Sequence, residues 1–196
     1  MIERFTLKYI TDSPSKRKAI HRMLFINAQN KQTIRDIIGP LRTFGIPAAA
    51  AVDIDILKDG GADWTGWLKA AHVPDTLHGG LGQHRGNLRK CFVDGELTMK
   101  DGGVGLLRED DKLAATDFFD QLDRYGVFAV RKGELESWLP ELGAKGKKTD
   151  WTISALEKMG SDRAGSAYVK PGDGDVWEYI RTIVAWIRDP ARKGTA

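Results

Sequence analysis

At 196 residues the chain has room for one domain, or one domain with a small appendage. Hydrophobic residues make up 41% and charged residues 29%, a balance that excludes a disordered or fibrous chain. No apolar run approaches the roughly 18 residues needed to span a bilayer, and the N-terminus lacks the apolar core of a secretory signal. The single cysteine, Cys91, leaves neither an internal disulfide nor a cysteine-rich zinc site, so a cytoplasmic setting without membrane contact is expected.

The net charge of +3 conceals a segregation. From Ser13 to Arg35 there is no acidic residue, while Lys16, Arg17, Lys18, Arg22, Lys31 and Arg35 supply six positive charges. From Asp94 to Asp123 nine acids face Lys100, Arg108 and Lys112. Blocks of this kind form solvated faces, and a basic one also suits a phosphate-rich partner.

In chain order, Met23-Leu24-Phe25-Ile26 is a short apolar run that predicts a strand. Ile34, Ile37, Ile38 and Leu41 then fall on one face of a helix, shortened or kinked by Gly39-Pro40 and stopped near Gly45. The run from Ala48 to Leu57 lacks amphipathic alternation before Asp53, as in a strand covered on both faces of a parallel sheet. Strand, helix and strand together predict a right-handed crossover of a doubly wound α/β fold.

Residues 62–71 predict a helix carrying Trp64, Trp67 and Leu68. The stretch 78–105 holds eight glycines and reads mainly as loops, with a hairpin around Asp94-Gly95. Residues 110–125 read as a helix packed through Leu113, Phe118 and Leu122, and Val127-Phe128-Ala129-Val130 as a second buried strand. Arg131 to Leu139 resembles a strand-to-helix turn, broken by Pro140. A short helix around Trp151, Leu156 and Met159, with Asp150 as N-cap, precedes an amphipathic helix marked by Val176, Ile180, Ile183, Val184 and Ile187.

Asp53 and Asp55 carry the sharpest chemical signal. At i and i+2 on a strand they share a face at its C-terminal end, the edge where open α/β sheets bind ligands. Adjacent carboxylates repel unless a cation neutralises them, and Mg²⁺ favours such oxygen donors. The plainer reading leaves Asp55 exposed and Asp53 capping the next element. Glu134 and Glu136 form a second pair beyond a strand; both could face one site, or serve only as acids of a first helical turn. Two such pairs at strand exits suit a divalent-ion cluster for phosphoryl-oxygen chemistry. Lys145, Lys147 and Lys148 follow closely and offer a cation for a scissile phosphate, or merely a solvated loop. His72, His78 and His84 recur every six residues, a spacing that fits no zinc set. Gly79-Gly80-Leu81-Gly82 lacks the lysine and hydroxyl of a phosphate-binding loop.

Val52-Asp53-Ile54-Asp55, followed by Gly133-Glu134-Leu135-Glu136 and preceded by Phe25-Ile26-Asn27-Ala28-Gln29-Asn30-Lys31, resembles the Toprim domain of overcoming-lysogenization-defect (OLD) family endonucleases. The resemblance covers residues 23–57 and 126–148. It implies a Toprim-like (Rossmann-like) α/β fold with a parallel sheet flanked by helices over residues 1–150. A largely helical and loop insertion would occupy about 60–124, and a C-terminal helical appendage 151–196. It also implies that Asp53, Asp55, Glu134 and Glu136 are ligands of Mg²⁺ or Mn²⁺, with Glu134 also catalytic. Lys147, or Lys148 beside it, would assist the hydrolysis of DNA phosphodiester bonds. The expected partners are DNA and an ABC-type ATPase region in cis or trans, with homodimerisation a further expectation. Where the family begins with a strand and Glu-Gly, only Met1-Ile2 precede Glu3 and Arg4 follows it. The chain is therefore expected to be the C-terminal piece of a longer protein, and a non-catalytic DNA- or partner-binding remnant is the alternative function.

Overall fold

The computed structural model describes Thr6, Tyr9 and residues 23–138, 140–147, 149–162, 164–166 and 168–195. Most of the N-terminal basic block, together with Glu3 and Lys148, lies outside them. The chain forms two compact units: Met1–Ile26 with Leu135–Arg181, and Asn27–Glu134 with Thr182–Ala196. The second is a mixed α/β unit built on a two-stranded parallel sheet with helices against it.

Helix α1 (Lys31–Thr43) opens on Asn30, whose side chain accepts the Thr33 backbone N–H at 2.8 Å. That cap satisfies one of the otherwise orphaned N–H groups of the first turn. Pro40 is tolerated within the last turn, and the Phe44 N–H closes the helix on the carbonyls of Pro40, Leu41 and Arg42. Ile38 is buried on the predicted face.

Strand β1 (Ala50–Asp53) follows and pairs in parallel with β2 (Val127–Val130), in the register Ala50 with Val127 through Asp53 with Val130. Every residue of β2 is buried, as its unbroken apolar run requires. Between the strands come α2 (Gly61–Ala70), α3 (Asp75–Asp94) and α4 (Glu109–Arg124). Their inward residues, including Trp64, Trp67, Leu81, Leu88, Phe92, Phe118 and Phe119, merge with Val52, Ile54, Ile56 and Val127 into one core. Trp64 stacks on Phe118 with ring centroids 6.0 Å apart.

In the first unit, α5 (Thr149–Lys158) buries Trp151 and Ala155, and Asp150 stands inside its first turn rather than at its cap. Trp138 and Tyr179 pack at 5.1 Å between ring centroids. Helix α6 (Asp175–Arg188) contributes its residues up to Arg181 to this unit and those from Thr182 to the other. Among the described residues no helix is long and apolar enough to cross a membrane.

Four local expectations are corrected. Residues 23–26 form no strand, and Leu24 and Ile26 are 84% and 55% exposed, so the parallel partner of β1 is β2. The expected strand at 48–57 ends at Asp53 and continues as a 3₁₀ turn, Ile54–Lys58. Residues 75–94 are helical despite their glycines, because Leu81, Leu88 and Phe92 bury one face. Leu113 is 67% exposed, and α4 packs instead through Ala115, Phe118, Phe119 and Leu122.

Candidate functional site: carboxylates and lysines at the strand exits

Because β1 and β2 run parallel, their C-terminal ends share one edge, and Asp53 lies opposite Val130 there. Asp53 ends β1 with an extended backbone and an exposed side chain. Asp55 sits two residues later in the 3₁₀ turn, so the shared strand face expected of this pair does not form. Ile54, Ile56 and Leu57 are fully buried by that turn, which fixes the path of the acidic residues between them.

The same turn brings up a carboxylate that the sequence did not single out. Lys31, the first residue of α1, places its ammonium 2.7 Å from Asp59 and 3.3 Å from Asp55. It also donates to the Asp55 carbonyl at 3.3 Å, and the Trp67 indole N–H donates to the other Asp59 oxygen at 3.0 Å. Burial pulls the Lys31 pKa down, but the hydrogen bond and charge of Asp59 together with those of Asp55 outweigh it and raise it above the ordinary value. The signal in the sequence was the i, i+4 spacing of Asp55 and Asp59 in a tight turn, with a lysine heading the preceding helix.

On the β2 side, the loop after Val130 carries Glu134, whose carboxylate pairs with the ammonium of Lys100. Lys100 rides on a 3₁₀ turn, Met99–Asp101, inside the expected insertion. Two glycines clamp this turn to the β2 exit. A Cβ on Gly133 would lie 2.2 Å from the Lys100 carbonyl oxygen, and one on Gly103 would lie 2.0 Å from that of Arg131. The Val104 N–H donates to the Arg131 carbonyl at 2.8 Å across the same junction. The hydrogen bond and charge of Glu134 raise the Lys100 pKa, and the charges of Asp53 and Asp55 add to the effect. One ammonium thus feels three of the four carboxylates marked in the sequence.

Glu136 stands in the 3₁₀ turn Leu135–Ser137 of the first unit, and Lys145 and Lys147 belong to that unit's exposed loop before α5. The second unit therefore gathers Asp53, Asp55 and Glu134 at one edge, with Lys31, Lys100 and Asp59 among them. Among the described residues no three His, Cys, Asp or Glu side chains stand together as a ready ligand group. The donors are all hard oxygens, the chemistry that Mg²⁺ or Mn²⁺ selects. The ammonium groups of Lys31 and Lys100 already pair with Asp55, Asp59 and Glu134. A groove of about 530 Å³ lined by Arg35, Asp36, Pro40, Asp63 and Gly66 lies along α1 and α2 and contains none of these residues.

Comparison of the chain with known protein families, with curated proteins and with solved structures returns no match.

Proposed function

We propose that the chain is a Toprim-type, metal-dependent DNA endonuclease region of the OLD family, acting on phosphodiester bonds at the edge formed by the exits of β1 and β2. The observation that supports this most is that Asp53 ends one of two neighbouring parallel strands while Glu134, paired with Lys100, follows the same end of the other. The C-terminal edge of a parallel sheet is where such folds place their ligands.

In this reading Asp53, Asp55 and Glu134 would hold Mg²⁺ or Mn²⁺. The bound ion would supply Lewis acidity at a phosphate oxygen and a water more acidic than bulk. The chain's own residues do the rest. Lys31 ties Asp55 and Asp59 to the start of α1, so the turn after β1 keeps its shape when charge is added nearby. Burial of Ile54, Ile56 and Leu57 holds the same turn from beneath. Plasmid nicking with Mg²⁺ or Mn²⁺ tests the proposal. Wild type is expected to nick, and Asp53→Ala and Glu134→Ala to lose at least a hundredfold in rate; equal rates in all three, or no nicking by wild type, would remove the catalytic claim.

The second reading is a non-catalytic DNA- or partner-binding module descended from such a domain, with the ATPase region among its partners. It is favoured by the ion pairs of Lys31 and Lys100, which already neutralise carboxylates that a metal would need. Salt-dependent DNA binding without cleavage is its expected signature.

A further inference from the structure

We propose that a cavity of the second unit, between α3, α4 and the segment after α6, binds a free α-amino acid with an apolar side chain. The cavity has a volume of about 340 Å³, within the range of about 300–1,000 Å³ usual for small-molecule sites. Tyr125, on its wall, leads into the start of β2, whereas Asp53 and Glu134 stand at the strand exits. The site is separate from that edge and stands whether or not the chain is a nuclease.

Three observations carry it. The first is an orphaned polar atom. Tyr125 is only 7% exposed, and its hydroxyl has no hydrogen-bond partner among the described residues. A tyrosine buried to that degree usually finds a partner for its O–H, and the cavity it lines offers room for one. The second is a pair of uncommitted cations on the same cavity. Among the described residues neither the Arg124 guanidinium nor the Lys193 ammonium meets a carboxylate. Lys193 is held in place: its ammonium lies 5.9 Å from the Tyr125 ring centroid, and Gly194 after it is wedged against the core. A Cβ on Gly194 would lie 2.6 Å from the Ala71 carbonyl oxygen and 3.0 Å from that of Tyr125. The third is a carboxylate of the same wall. Asp120 is bonded to Arg131 at 2.7 Å, but Asp117 has no ion-pair partner among the described residues.

These groups match the two ends of a zwitterion. A carboxylate would take the Arg124 fork, the Lys193 ammonium and the Tyr125 O–H, all of them donors. An ammonium beside it would face Asp117, which lies two turns before Arg124 on one face of α4. Leu81, which is 3% exposed, and Leu77 supply an apolar wall from α3 for the side chain. A simple carboxylic acid would meet repulsion from Asp117, and a simple amine would leave two cations unmet. No bond is made or broken here; the site binds.

The experiment titrates the whole chain with L-leucine, with 4-methylpentanoate, which lacks the ammonium, and with 3-methylbutylamine, which lacks the carboxylate. Backbone amides are read by NMR. L-leucine is expected to give saturable shifts centred on Leu77, Leu81, Gln121 and Tyr125. The other two probes should bind about tenfold more weakly, the loss of one charge-assisted contact. Arg124→Gln should weaken leucine about tenfold and Tyr125→Phe about threefold. Both should keep the wild-type circular-dichroism melt, because neither the guanidinium nor the hydroxyl has a protein hydrogen bond to lose. Asp117→Asn should weaken leucine yet strengthen 4-methylpentanoate, a crossing that a general surface effect would not produce. Leucine shifts that do not saturate below about 10 mM, or an affinity indifferent to both Arg124→Gln and Tyr125→Phe, overturn the site. Binding of 4-methylpentanoate to wild type as tight as that of leucine overturns the assignment of an amino acid.

Discussion

The guanidinium of Arg42 lies over the ring of Trp186, 5.2 Å from its centroid, at the heart of the second unit. Arg42 is completely buried, and its N–H groups donate to the carbonyls of Ala48, Ala71, Tyr125 and Gly126 at 2.6–3.0 Å. Trp186 is fixed in turn by its own N–H bond to the Arg124 carbonyl at 3.1 Å. One side chain thus gathers the end of α2, the end of α4 and the approaches to both strands. Burial lowers its pKa to about 10, which still leaves it charged at neutral pH.

Removing that fork takes a donor from the carbonyls of Ala48, Ala71 and Tyr125, while that of Gly126 keeps the Ala50 N–H. Arg42→Met is expected to cost roughly 3 kcal/mol or more, since each buried acceptor left without a donor costs about 1–3 kcal/mol. Arg42→Lys should recover less than half of the loss, because an ammonium cannot reproduce the planar spread of five donors. Urea unfolding of the three proteins checks this, and a lysine variant as stable as wild type would refute the account.

Lys31 joins Asp55 to Asp59, and its removal is expected to leave two carboxylates repelling one another in a tight turn. Lys31→Ala should lose about 1 kcal/mol of stability, the upper range for partly exposed pairs. Lys31→Ala combined with Asp59→Asn should lose less than the two single changes added together, because the repulsion is then gone. Strict additivity in a double-mutant cycle would show that the pair contributes nothing to the turn.

Much of the edge was legible because its elements are local. The four apolar residues of β2 read as a buried strand, and the isoleucine face of α1 defined that helix, whereas its Asn30 cap was read only as part of a turn. The 75–94 segment was misread because glycine costs about 1 kcal/mol in a helix relative to alanine, and four of them invite a loop. Leu81, Leu88 and Phe92, spaced at seven and four, were the competing signal, and their burial wins. Lys100 was illegible for another reason. It reaches the strand exits through tertiary placement, across 34 residues of chain to Glu134, and no local period encodes that. Arg42 reads as a solvent-facing residue of a last helical turn until the carbonyls around it are seen.

Gly133 offers a way to separate the edge from the core. Its φ of 103° and the Lys100 carbonyl 2.2 Å from a would-be Cβ make any side chain there intolerable without movement of the 99–106 turn. Gly133→Ala is expected to leave the melting of the core within a few degrees of wild type while weakening the Lys100–Glu134 pair. Hydrogen exchange resolved by residue checks it. Faster exchange should be confined to Val104 and its neighbours, and protection lost throughout α4 and β2 would contradict a local effect.

Asp123 supplies the pH dependence. Its carboxyl, 2.6 Å from Arg131, is buried enough that desolvation outweighs that partner and raises its pKa from 3.8 to about 7, with nearby Asp120 adding to the rise. The folded protein therefore holds a proton that the unfolded chain has already lost across this range. Bound protons that exceed those of the unfolded state favour folding in acid, so this group's contribution is fully present below about pH 4 and falls as pH rises toward 7. Above that it is spent, and the curve levels. Asp123→Asn keeps a neutral side chain of the same shape and should remove this component. Urea midpoints measured from pH 5 to pH 8.5 are expected to fall for wild type relative to the asparagine variant, and parallel curves would mean that Arg131 keeps Asp123 ionised throughout.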